Sequence, residues 1–133
     1  MKKIIVADDS RMARAYIKRI LSMVLTESVE VIEAGDGREA FARMKECRPD
    51  LLITDLNMPE MDGATLLKRV KASPVLHGTP CIVVTSLLNP EKQNELQSYD
   101  ARAILGKPLN AASLSRELAK IFKPEGQNDD YGW

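Results

Sequence analysis

Three aspartates, one threonine and one lysine carry the chemistry available to this sequence. Asp8-Asp9 follows the apolar run Ile4–Ala7, Asp55 follows Leu51–Ile53, Thr85-Ser86 follows Cys81–Val84, and Lys107-Pro108 comes just after Ala103–Leu105. In an open parallel sheet, ligands bind beyond the carboxyl ends of the strands, so these groups converge on one edge. Asp8, Asp9 and Asp55 bring three negative charges and Lys107 returns one positive. The remaining like charges repel strongly in a partly dry site. A divalent cation cancels them, and hard oxygen ligands with room for water suit Mg²⁺. A carboxylate can also attack phosphorus and form an acyl phosphate. Phosphoryl transfer asks mainly for positioning and for neutralisation of the equatorial oxygens. Mg²⁺, the Lys107 ammonium and the Thr85 hydroxyl suit three such contacts, and backbone N–H groups after Asp55 and near Ser86 can add more. A dinucleotide site would instead place a Gly-rich turn after the first strand, where this chain places two carboxylates.

Each feature has an ordinary reading when taken alone. Asp8-Asp9-Ser10 can be a turn and helix cap, Met58 to Gly63 a turn into a helix, Lys107 a solvated side chain and Thr85 a β-branched strand residue. Their joint placement at four strand ends argues for a site. His77 lies in a Gly- and Pro-flanked loop without a second His or Cys beside it and reads as surface. Cys81 reads as a small buried hydrophobe. Cys47 ends a helix with no activating neighbour in sequence. The methionines of the first two helices read as packing.

The elements that must position these groups are legible as alternating patterns. Strand-like runs are Ile4–Ala7, Val29–Ala34, Leu51–Ile53, Cys81–Val84 and Ala103–Leu105. Four are short and nearly continuous, as expected of parallel strands covered on both faces. Val29–Ala34 alternates apolar and acidic residues, which predicts an edge strand. Between the runs, Ala13, Ile17, Ile20, Leu21 and Val24 mark one helix, and Ala40, Phe41 and Met44 a second. Leu66, Leu67 and Val70 mark a third, and Leu114, Leu118 and Ile121 the last. Pro90–Ser98 is mostly polar, with Leu96 its only large apolar residue, and predicts a weak, exposed helix. Ser10 and Asn110 are expected caps. Asp36 with Glu39 predicts a capping box, and Asn89 before Pro90 a cap followed by proline at the first helical position. Five strands alternating with five helices mean an α/β fold on a parallel sheet.

Composition agrees. At 133 residues there is room for one ordinary domain. Lys plus Arg and Asp plus Glu are 19 each, a balance ill suited to nonspecific nucleic-acid or anionic-lipid binding. Two cysteines are too few for a zinc site or disulfide framework. The first apolar run is too short for a signal peptide or membrane span, so a cytoplasmic location without membrane insertion is expected. Residues 124–133 hold three acids and no base, and are expected to form a disordered acidic tail after a domain of residues 1–123.

The runs Ala7-Asp8-Asp9-Ser10, Asp55-Leu56-Asn57-Met58-Pro59-Glu60-Met61-Asp62-Gly63, Thr85-Ser86 and Lys107-Pro108 resemble those of response-regulator receiver domains of two-component signalling. The single-domain, chemotaxis-type (CheY-like) members are the nearest in kind, and the resemblance covers about residues 2–123. It implies a (βα)5 doubly wound, flavodoxin-like sheet of five parallel strands in the order 2-1-3-4-5. It implies that Asp55 accepts a phosphoryl group from the phosphohistidine of a sensor histidine kinase or phosphotransfer protein. Asp8, Asp9, Asp55 and the backbone carbonyl of Asn57 would hold Mg²⁺, and Thr85 and Lys107 would bind phosphoryl oxygens. The Lys107-Pro108 bond is expected to be cis. Phosphorylation would draw the Thr85 hydroxyl inward. It would signal to a downstream protein through the face of the fourth helix, fifth strand and fifth helix. No DNA-binding domain is expected after the last helix, and no catalysis beyond the chain's own phosphorylation and dephosphorylation.

Two departures bear on switching. Ile104 stands where the family commonly has a Tyr or Phe that swings between exposed and buried, and its branched side chain is stiffer. A smaller change, or one carried by neighbours, is expected. Leu87, two residues past Thr85, stands where the family tunes water access, and its apolar side chain predicts slower self-hydrolysis than in Leu87→Glu. Two other readings compete. A degenerate receiver would bind a partner without phosphorylation. An aspartate-nucleophile phosphohydrolase would need a second acid two residues after the first, where this chain has Ser10.

Overall fold

The short apolar runs become strands whose successive side chains point to opposite faces. The computed structural model describes residues 1–86 and 88–122. In chain order the elements are β1 (Lys2–Ala7), α1 (Arg11–Val24), β2 (Val29–Ala34), α2 (Gly37–Cys47), β3 (Leu51–Thr54), α3 (Gly63–Ala72), β4 (Cys81–Thr85), α4 (Pro90–Ser98), β5 (Ala103–Gly106) and α5 (Ala111–Ile121). The strands pair in parallel as one sheet ordered β2-β1-β3-β4-β5. The α/β architecture and strand order are those expected, and the alternating run Val29–Ala34 does form an edge.

The strands divide their side chains between two cores. Ile5, Ala7, Leu52 and Val83 face Ala40 and Met44 of α2, Leu66, Leu67 and Val70 of α3, and Leu96 of α4. Ile4, Val6, Leu51, Ile53, Ile82 and Val84 face Ile17, Ile20 and Leu21 of α1 and Leu114 and Leu118 of α5. Fully burying one such aliphatic side chain contributes about 1.5–3 kcal/mol. These layers hold the C-terminal strand ends rigidly, which is what a site placed there requires. The helix α4 has Leu96 as its one buried residue, in keeping with its polar sequence.

The caps end the helices as expected, with Ser10, Asp36, Asn89 and Asn110 accepting backbone N–H bonds from Ala13, Glu39, Lys92 and Ser113. Asp62 caps α3 in the same way, accepting from Thr65 N–H at 2.8 Å. The expected capping box at α2 is different in detail. Glu39 accepts the N–H of Gly35 at 2.7 Å, one residue before the cap, and so ties the end of β2 to α2.

The methionines of the first two helices do not all pack. Met44 is fully buried, but Met12 and Met23 of α1 are 82% and 69% exposed. The buried stripe of α1 runs through Ile17, Ile20 and Leu21, and both methionines fall on the opposite side of the helix. His77 is exposed and Cys81 is buried, as expected. Among the described residues, no helix is long and apolar enough to cross a membrane. The acidic segment 124–133 and Leu87 lie outside the described residues.

Candidate functional site

Asp8 is the first residue beyond β1 and Asp55 the first beyond β3. Both continue the ladder: Asp8 N–H donates to Ala34 O at 3.0 Å and Asp55 N–H to Ala7 O at 2.8 Å. This fixes both backbones at adjacent strand ends. Asp8 and Asp55 are buried, at 1% and 8% exposure, while Asp9 is exposed. One carboxylate oxygen from each of Asp8, Asp9 and Asp55 lies within 4.8 Å of the others. That separation suits one divalent cation held by oxygen ligands.

Lys107 enters from the turn after β5. Its Nζ donates to Asp8 Oδ2 at 2.8 Å and lies 3.3 Å from Asp55 Oδ2. The Lys107-Pro108 bond that follows is cis, as expected. Thr85 ends β4 and is buried. Parallel pairing sets Thr85 beside Gly106, one residue before Lys107. Lys107 N–H also donates to Thr85 O at 2.9 Å. The four strand ends singled out in the sequence therefore meet on one edge.

The electrostatics follow from the packing. Burial raises the Asp55 carboxyl above its ordinary value, and the Asp8 charge adds to the rise. Lys107 and the Leu56 N–H oppose this only in part. Leu56 N–H donates to Asp55 Oδ1 at 2.7 Å, so the backbone after Asp55 does supply a donor. Burial alone would lower the Lys107 ammonium. Its hydrogen bond to Asp8 and the charges of Asp55 and Asp8 outweigh that and hold it above the ordinary lysine range. Raised values on both a carboxylate and an ammonium held together at strand ends make this cluster the candidate functional site. By contrast, burial pushes the Cys81 thiol up to about 12 and also raises that of Cys47, so neither is activated.

Residues 4–119 match the response regulator receiver domain family. The chain belongs to that family. The chemotaxis protein CheY-3 of Vibrio cholerae is 32% identical over 121 residues, covering 91% of this chain and 92% of that protein. The gliding motility regulatory protein of Myxococcus xanthus is 37% identical over 119 residues. The match takes in 86% of this chain but only 15% of that much longer protein. Among solved structures, the chemotaxis protein CheY4 of Vibrio cholerae superposes with a TM-score of 0.81 at 34% identity, covering 92% of this chain and 99% of that one.

Further contacts of this receiver domain support the site, and two of the residues that make them, Gly37 and Arg14, were not singled out in the sequence. Gly37 N–H donates to Met61 O at 3.1 Å, and a Cβ at Gly37 would fall 2.2 Å from that oxygen. Gly63 approaches the Asp55 carbonyl just as closely. Arg14 of α1 donates to the Asp8 carbonyl. A glycine at a helix start and a lone Arg on an amphipathic helix carry no spacing signal, because their contacts are made by tertiary packing. Asn57 is exposed in the loop two residues past Asp55. Ile104 is half-buried on β5, beside Val83, and packs on the core shared with α2, α3 and α4.

Proposed function

We propose that this receiver domain is a Mg²⁺-dependent phosphoacceptor. The observation that carries the reading is the three-carboxylate cluster of Asp8, Asp9 and Asp55 with Lys107 bridging Asp8 and Asp55. The donor set is all oxygen and rich in negative charge, which fits Mg²⁺. Asp8, Asp9, Asp55 and the backbone carbonyl of Asn57 would hold the ion. When bound, it supplies positive charge against the phosphoryl oxygens and against the crowded carboxylates.

The chain's own residues do the rest. A carboxylate oxygen of Asp55 attacks the phosphorus of a kinase's or phosphotransfer protein's phosphohistidine. The P–N bond breaks, the imidazole leaves with its electron pair, and an acyl phosphate forms on Asp55. The Leu56 N–H orients the Asp55 carboxylate before attack. Lys107 Nζ exchanges a carboxylate for a phosphoryl oxygen, and the Thr85 hydroxyl takes another. The output runs through the face of α4, β5 and α5 to a protein partner. The anchoring of α4 by the single buried Leu96 suits an element of low local stability.

Intact mass after incubation with acetyl phosphate, with and without Mg²⁺, tests the reading on wild type and Asp55→Asn. A Mg²⁺-dependent gain of one phosphoryl group, absent from Asp55→Asn, is expected. No gain in wild type under either condition would overturn it and favour a phosphorylation-independent binding module.

A further inference from the structure

Asp8 is gripped from four directions. Its N–H donates to Ala34 O, its Oδ1 accepts from Ser10 N–H at 2.9 Å and its Oδ2 from Lys107 at 2.8 Å. The fourth grip is on its backbone carbonyl, which accepts from Arg14 Nη1 at 2.6 Å. Through Nε, the same guanidinium donates to Glu33 Oε1 at 2.9 Å. The Arg14 side chain is 17% exposed and that of Glu33 is 38% exposed. Arg14 thus joins the start of α1, the edge strand β2 and the peptide unit that links Asp8 to Asp9.

The placement of Arg14 is not explained by its helix. It lies near the N-terminus of α1, where the dipole disfavours a cation, and no acid occupies the first turn. Its charge is instead matched by Glu33 across the gap to β2. The fork-shaped guanidinium can hold two acceptors in a fixed relation, which a lysine ammonium on a flexible stem does not do.

We infer that Arg14 is a positioning residue for the cation site: it clamps the Asp8 carbonyl to Glu33 and so fixes the aim of the Asp8 and Asp9 carboxylates. The inference rests on the Mg²⁺ site proposed above. Outer-shell groups that orient metal ligands typically govern affinity by roughly 10–100-fold. Two accounts give opposite signs. If Arg14 acted only through its charge, its removal would strengthen cation binding, since a positive group near the cluster would be gone. If it acts by position, removal weakens binding, because the pair with Glu33 is close to neutral while the carbonyl grip is lost.

The test is Mg²⁺ titration by calorimetry on full-length wild type, Arg14→Met and Arg14→Lys. Urea unfolding without Mg²⁺ is measured beside it to check the fold. Roughly tenfold weaker Mg²⁺ binding is expected for Arg14→Met, with a native unfolding transition retained. Arg14→Lys is expected to remain weakened although its charge is kept. Unchanged or tighter binding in Arg14→Met overturns the inference, as does full rescue by Arg14→Lys. Should Arg14→Met not fold, the affinity of Arg14→Lys decides alone. Wild type that binds no Mg²⁺ overturns the site itself, and this inference with it.

Discussion

Gly63 lies directly against Asp55. A Cβ built on Gly63 would fall 2.2 Å from the Asp55 carbonyl oxygen and 3.0 Å from Leu56 Cα. The Gly63 N–H donates to Leu56 O at 2.7 Å, so the first residue of α3 is packed onto the backbone that presents Asp55, the proposed acceptor. Both atoms in conflict are main chain and cannot rotate away. Adding one methyl must push α3 from the loop or the loop from the acid cluster.

Gly63→Ala is therefore expected to cost roughly 2–3 kcal/mol of stability and to weaken Mg²⁺ binding as well. Gly78→Ala is the control, since a Cβ there meets nothing within 4 Å. Chemical unfolding of both variants, with Mg²⁺ titration, reads the difference. Equal stability of the two would show that the loop yields freely.

Lys107→Met separates the two cations near the cluster. Lys107 Nζ sits on Asp8 Oδ2 and lies 3.3 Å from Asp55 Oδ2, so its charge competes with a cation for the carboxylates of the proposed site. A unit charge at about 4 Å is worth at least about 1 kcal/mol even in water. Removing it is expected to tighten Mg²⁺ binding about fivefold or more while abolishing stable phosphorylation. The direction is opposite to that expected for Arg14→Met, where position matters and charge is already matched. Weaker Mg²⁺ binding in Lys107→Met would contradict this account.

Asp55→Asn is expected to stabilise the metal-free protein. Burial and Asp8 raise the Asp55 carboxyl above its ordinary value of 3.8, so the folded state binds this proton more tightly than the unfolded chain does. The group's contribution is full below its unfolded value and is lost as pH rises through the raised folded value. At neutral pH wild type therefore carries an unfavourable ionised carboxylate that asparagine lacks. Asp55→Asn is expected to be the more stable protein at pH 7, with the difference shrinking as pH falls and vanishing only below the unfolded value of 3.8, and reduced by Mg²⁺. Urea unfolding across pH reads it. A variant less stable than wild type at pH 7 without Mg²⁺ would reverse the sign.

Much of this was legible because the site uses residues that break local patterns. Asp8, Asp9 and Asp55 end apolar strands where a strand alone has no need of charge, and Lys107 follows another, so topology predicts their meeting. The helices were legible from the spacing of Ile17, Ile20 and Leu21 and of their counterparts. What stayed hidden depends on contacts between distant elements. Nothing near Arg14 in sequence points to Glu33 or to the Asp8 carbonyl. Likewise, nothing near Gly37 points to Met61. The exposure of Met12 and Met23 was hidden for a related reason. Methionine is read as apolar, and the width of the buried stripe on α1 is decided by the sheet beneath it.

Ile104 is expected to limit the amplitude of a phosphorylation-driven switch. It lies beside Val83 in the sheet and is half-buried against the core that also holds Leu96 of α4. A β-branched side chain is restricted at χ1 and carries no ring, so it does not swing as an aromatic ring can. Phosphorylation of Asp55 is therefore expected to shift α4 and the loop before it while Ile104 keeps its rotamer. Methyl ¹³C shifts of Ile104, read with backbone amide shifts over residues 88–106, follow both in the presence and absence of an acyl-phosphate mimic. Large amide shifts in α4 with a constant Ile104 rotamer are the expected pattern. A change of Ile104 rotamer that tracks phosphorylation would place the switch in that side chain after all.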